Sequence, residues 1–171
     1  YNNLKKQNKE LNMDISIENF ILKERFNETE AIKLISKAGF SKLDYSFYSP
    51  KTVNELIEGK NFNALKIREI MSDYGIKCNQ AHAPFLLNYP QKTDLTEKNF
   101  EIIVKSIEAA ATLGAEHIII HAINVPANVN FEEYNLKFYL NLQKYSEEFG
   151  IKIAVENLFT YNKKCEACFG I

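Results

Sequence analysis

Four glycines cut the chain at nearly equal intervals: Gly39, Gly75, Gly114 and Gly150, spaced 36, 39 and 36 residues apart. Each closes a helical pattern, where a left-handed residue is commonly needed. A short β-type run follows each of them: FSKLDYSF, IKCNQAHA, AEHIIIHA and IKIAVENL. Each is also preceded by an amphipathic stretch with a start signal. Asn27 with Glu30 opens the first and Thr52 with Glu55 the second, where further helix runs on to about Tyr74. Thr93–Asp94 precede the third, with Phe100, Ile103, Ile107 and Ala110 on one face, and Asn130 with Glu133 opens the fourth. One more strand-like run, DISIENF, follows Met13. Strand, helix and glycine recurring at this period form the βαβ unit of a parallel sheet. The pattern predicts an α/β chain of about five parallel strands with four to five helices, either doubly wound or part of a barrel. No GxGxxG fingerprint stands in the first turn, which disfavours dinucleotide binding.

Counting from each glycine locates the polar residues. Ser46, His82 and His121 each stand seven residues on, and Glu156 stands six. Side chains alternate faces along a strand. His82 should then share a face with Gln80 and Cys78, His121 with Ile119 and His117, and Glu156 with Ala154, while Ile153 and Val155 face the helices. Inward residues at the C-terminal ends of neighbouring parallel strands converge, and in a (β/α)8 barrel they converge on the catalytic face. Two imidazoles and a carboxylate in one phase point to a shared site. That donor set suits Zn2+, Mn2+ or Co2+ better than Ca2+ or Mg2+.

Other polar residues fit less specifically. His117, at the opposite end of its strand, reads as structural. Asp44 shares a face with Ser46 but lies deeper, where it would support a site residue or pair with a buried partner. Asn157 would brace the adjacent loop or contact a substrate hydroxyl. Cys165 and Cys168 form a CxxC, but a structural zinc site needs two more suitably spaced ligands, so they read as ordinary cysteines. Tyr45, Phe47, Tyr48, Phe138 and Tyr139 fall at core or rim positions. With 21 Lys+Arg against 22 Asp+Glu, the net charge of −1 leaves no electrostatic footprint for nucleic acid. No apolar run reaches the ~20 residues of a membrane span, and three cysteines suit a reducing compartment. The expectation is a cytoplasmic protein without nucleic-acid or membrane partners.

Taken in order, QAHAPF, GAEHIIIHA and IAVENL resemble the xylose-isomerase-like TIM barrels, the sugar phosphate isomerase/epimerase family. The resemblance covers about residues 13–160. It implies a partial (β/α)8 TIM barrel truncated at its C-terminus, with residues 13–171 the N-terminal part of that domain; residues 1–12, polar with no apolar face, read by themselves as a leader or frayed arm. It implies that Glu156, in a V-E-N context, is a metal ligand and acid/base group. His82 and His121 fall where members of the family place metal ligands or substrate contacts. Catalysis would then rest on Glu156 and His121, substrate binding on His82, Asn157 and Ser46, and metal binding on Glu156, His82 and His121. The remaining ligands are expected on later strands. After His121 the chain reads Ala-Ile-Asn where many members continue Pro-Gly. The implied activity is divalent-metal-dependent isomerisation or epimerisation of a sugar or sugar phosphate by the full-length protein, the fragment itself being inactive. The alternatives are a zinc-dependent apurinic endonuclease, disfavoured by loops holding one lysine and no arginine, and a noncatalytic sugar-binding remnant. Two half-barrels paired as a homo-oligomer stay open.

Overall fold

All four repeat glycines take positive φ, between 66° and 94°. At Gly150, φ 66° and ψ 29° make it the left-handed cap of the preceding helix. The computed structural model describes residues 15–58, 62–85, 93–123, 125, 128–156, 159–161 and 167–169. The expectations for residues 1–12, Asn157 and Cys165 lie outside them.

In chain order the elements are β1 (Ser16–Glu18), α1 (Phe20–Arg25), α2 (Glu28–Lys37), β2 (Lys42–Ser46), α3 (Pro50–Glu58) and α4 (Ala64–Asp73). Next come β3 (Lys77–His82), α5 (Thr93–Leu113), β4 (His117–Ile120), α6 (Phe131–Phe149) and β5 (Lys152–Val155). A short antiparallel pair follows, β6 (Phe159–Tyr161) with β7 (Ala167–Phe169), the latter holding Cys168. Strands β1 to β5 form one sheet in sequence order, and every pairing is parallel. This is the five-stranded α/β arrangement that the glycine period predicts. Six helices among the described residues, rather than four or five, cross between strands, because two crossings break in the middle. Asn27 and Asn63 each cap a fresh helix there, accepting from the backbone N–H of Glu30 and Lys66.

One start signal is misplaced by sequence. Helix α3 begins at Pro50, not after Thr52, and the Ser49 hydroxyl accepts the Thr52 amide at 3.1 Å. Proline at the first helical position, with serine before it, outcompetes the later threonine. Thr52 turns inward instead and accepts from buried Lys23. The Nζ of Lys23 also donates to the Tyr45 hydroxyl at 2.9 Å and to the Ser46 carbonyl at 3.0 Å, tying α1 to β2.

The core lies between the sheet's outer face and the helices. Leu43, Tyr45, Ala81 and Ile118 from the strands meet Ile32, Ile35, Met71, Ile103, Ile107 and Leu142 from the helices, all at most 1% exposed. Alternation fails at one place. Leu43 pairs with Cys78 but Asp44 pairs with Gln80, so Asn79 is an extra residue in β3. Such a bulge resets the phase of the strand. Cys78 therefore faces the core at 4% exposure, opposite to Gln80 and His82, which corrects the expectation of a shared face. Burial pushes its thiol pKa up to about 12.

Candidate metal centre

The interior face of the sheet carries the polar residues in layers. Asp44, Gln80, His117 and Lys152 stand level in one, and Ser46, His82, Ile119 and Ala154 in the next. His121 and Glu156 immediately follow β4 and β5, one layer higher still. The equal distances from glycine thus give the right phase but not the same rung. Strands in such barrels are tilted by roughly 36°, so residues at one height along the axis stand on different rungs.

Backbone and side-chain ties fix these ends. The Ala83 amide donates to the Ile119 carbonyl at 2.9 Å and Phe47 to the His82 carbonyl at 3.0 Å, prolonging the ladder beyond His82. The loop after His121 is held from below by Asn135 of α6, which is 5% exposed. Its Oδ1 accepts the Ile123 amide at 2.7 Å, and its Nδ2 donates to the Ile123 carbonyl at 2.9 Å.

Three side chains then meet. Nε2 of His121 lies 2.9 Å from Oε2 of Glu156, and Nε2 of His82 lies 3.7 Å from the same oxygen. One donor atom from each falls within 4.8 Å of the others. The histidines are sheltered, at 13% and 6% side-chain exposure, while Glu156 at 42% stands at the rim. Aromatic rings wall the cluster: Phe85 meets His121 edge-on at 4.1 Å, and Tyr48 meets His82 at 5.6 Å and Phe85 at 4.3 Å.

The electrostatics separate the two imidazoles. Burial alone would lower the pKa of His82, but the hydrogen bond and charge of Asp44, helped by Glu156, outweigh it and hold it above the ordinary value. For His121 burial prevails over the pull of Glu156, and the pKa falls. A neutral ring is the form that offers a lone pair to a cation.

These residues fit a divalent ion on an observation of their own. Both ring nitrogens of His121 are buried, Nδ1 with no partner and Nε2 with no polar group near it but the Glu156 carboxylate at 2.9 Å. Leaving a buried polar group unpaired costs about 1–3 kcal/mol, and a cation would satisfy one of them. Ligands of a tetrahedral zinc at about 2.0–2.1 Å stand roughly 3.3 Å apart, and the 2.9 and 3.7 Å separations bracket that spacing.

Of the residues expected from sequence, His82, His121 and Glu156 come together. Ser46 shares their interior phase but is only 1% exposed, its hydroxyl receiving the Tyr48 amide at 3.4 Å. Asn19 holds it too, its Oδ1 accepting the Ser46 amide at 2.9 Å, as does Lys23 at the Ser46 carbonyl. Ser46 therefore supports Tyr48 and presents no surface to a substrate. Sequence reasoning did not single out Asn19 or Phe85, and took Tyr48 only as a core or rim aromatic. The Ala-Pro that ends β3 is the one signal that Phe85 turns back over the site.

A profile of the family described as Xylose isomerase-like TIM barrel matches residues 32–169. No curated protein matches the sequence. Among solved structures, a D-tagatose 3-epimerase-like protein is 20% identical with a TM-score of 0.62, over 88% of this chain and 55% of its own. A 3-keto-D-glucoside 4-epimerase, YcjR, from E. coli is 15% identical with a TM-score of 0.62, over 85% and 56%. The IOLI protein, solved with a zinc atom, is 16% identical with a TM-score of 0.61, over 84% and 51%. The chain spans about half the length of the structures it matches, so its five strands are part of a barrel.

Proposed function

Because the chain belongs to the xylose isomerase-like TIM barrel family, we infer that it supplies three donors of the divalent-metal site of a sugar or sugar phosphate isomerase or epimerase. The observation that carries this reading is the convergence of His82, His121 and Glu156 at the C-terminal ends of β3, β4 and β5. Structural relatives described as epimerases of sugars support the substrate class.

Such reactions remove a hydrogen α to a carbonyl. When bound, the ion supplies Lewis-acid stabilisation of the negative charge that develops on the substrate oxygens. The residues do the rest. His82, His121 and Glu156 would hold the ion, the two imidazoles orienting the substrate oxygens beside it, and the Glu156 carboxylate takes the proton and returns it. Phe85 and Tyr48, packed against the two imidazoles, present apolar ring surface to the carbon face of the sugar. The donors still required come from strands that complete the barrel, so the 171 residues alone are inactive.

The test is metal content and turnover of a panel of sugars and sugar phosphates by the intact protein, with cleavage of abasic DNA run beside it. Glu156→Gln is expected to lower metal-dependent turnover by at least about 100-fold, the contribution of a positioned acid/base group. Retained sugar turnover in that variant would sink the assignment, and DNA cleavage without sugar turnover would replace it with the hydrolase reading.

A further inference from the structure

Behind His82 stand two side chains that metal binding does not by itself require. Asp44 and Gln80 are paired in register one layer below it on the interior face, and Asp44 is 7% exposed. Oδ1 of Asp44 lies 2.9 Å from Nδ1 of His82, and Oδ2 accepts from Nε2 of Gln80 at 2.6 Å. A neutral imidazole carries one ring proton, and the partner of one nitrogen decides the state of the other. A carboxylate can only accept. The proton therefore belongs on Nδ1, which leaves Nε2 as a bare lone pair on the side facing Glu156. His121 has no comparable partner at Nδ1.

The geometry points to Asp44 as a positioning residue, held in place by Gln80, that fixes the Nδ1–H tautomer of His82 and so presents Nε2 ready-made to a divalent cation. This rests on the metal-site reading above. One histidine is set before the ion arrives, and the other has only Glu156, 2.9 Å from its Nε2, and no partner at Nδ1. Gln80 sharpens the effect. In Asp44→Asn one carbonyl oxygen replaces two carboxylate oxygens, and the Gln80 amide competes for it. Where Gln80 takes it, an NH2 group faces Nδ1 and drives the ring proton onto Nε2, the nitrogen that must be bare.

The test reads the tautomer directly. The intact protein is labelled with 15N-histidine, kept metal-free at a pH above the raised His82 pKa so that the ring is neutral, and followed through long-range 1H–15N correlations, with His82→Gln identifying the His82 signals. The native chain is expected to show His82 protonated on Nδ1. Asp44→Asn is expected to move proton population to Nε2 while the His121 signals hold, and to weaken Co2+ binding by about 10- to 100-fold. Gln80→Met, which leaves the carboxylate in place, is expected to keep the native tautomer. A native His82 protonated on Nε2 overturns the proposal even if a variant fails to fold, and so does an unchanged tautomer in Asp44→Asn. If the intact native protein binds no Co2+ yet the tautomer follows Asp44, the positioning role stands and the metal reading falls.

Discussion

His82 shows what a single residue can and cannot announce. Its inward phase with His121 and Glu156 was legible by counting from the glycines, because side-chain direction alternates along a strand. Its partner was not, because a sequence gives phase but not which of several inward neighbours lies within 3 Å. Asp44 could be read only as a supporting or a paired residue, and the structure makes it both. Lys23 was invisible to sequence reasoning, as a lysine on a short helix usually faces water. Here its side chain is 8% exposed, and burial lowers its pKa below the ordinary 10.5, partly offset by Glu28. A lysine with a lowered folded-state pKa binds fewer protons folded than unfolded, so stability rises with pH until the unfolded value is passed. Lys23 therefore contributes a rise in stability as pH climbs towards its unfolded value of 10.5, opposed by buried Cys78, whose thiol stays protonated in the folded chain and contributes a fall above its own unfolded value. Lys23→Met should flatten that rise, as urea unfolding at successive pH values would show.

Caps were the most legible of the elements. Asn27 and Asn130 stand where the capping pattern puts them, each accepting the amide three residues on. Asn130→Ala should cost about 1 kcal/mol, seen as a lower urea midpoint with an unchanged slope. Helix α6 also carries Asn135, the tie beneath the His121 loop, so a frayed N-terminus should loosen the site as well as the fold. The start of α3 was misread because two valid signals, Ser-Pro and Thr-x-x-Glu, lie three residues apart, and the proline at the first helical position prevails. The bulge in β3 was not legible, since Asn79, though of a type depleted in strands, reveals its insertion only against the register of β2.

For the whole molecule, the period gave the five parallel strands and their order, and the resemblance gave the barrel. Strands β1 and β5 are the two ends of the sheet, and apolar side chains near them are open: Ile15 at 61%, Ile21 at 64% and Val155 at 55% exposure. Val155 has the outward phase expected of it, but no described helix covers it. Such edges invite pairing with another chain. The isolated 171 residues should self-associate as concentration rises, measured by light scattering across a dilution series; a monomer at all concentrations would contradict this. The four strands that build the site must also keep count of one another, and the bulge is where that count has slack. Deleting Asn79 would turn β3 into a regular strand with Cys78 still in the core and His82 still inside the barrel. Deleting Ile119 from β4, where pairing has no bulge, would turn His121 out among the helices. The first deletion should preserve Co2+ binding and the second abolish it. In β3, then, a residue can be lost without turning the site's histidine away, whereas in β4 the same loss would reverse it.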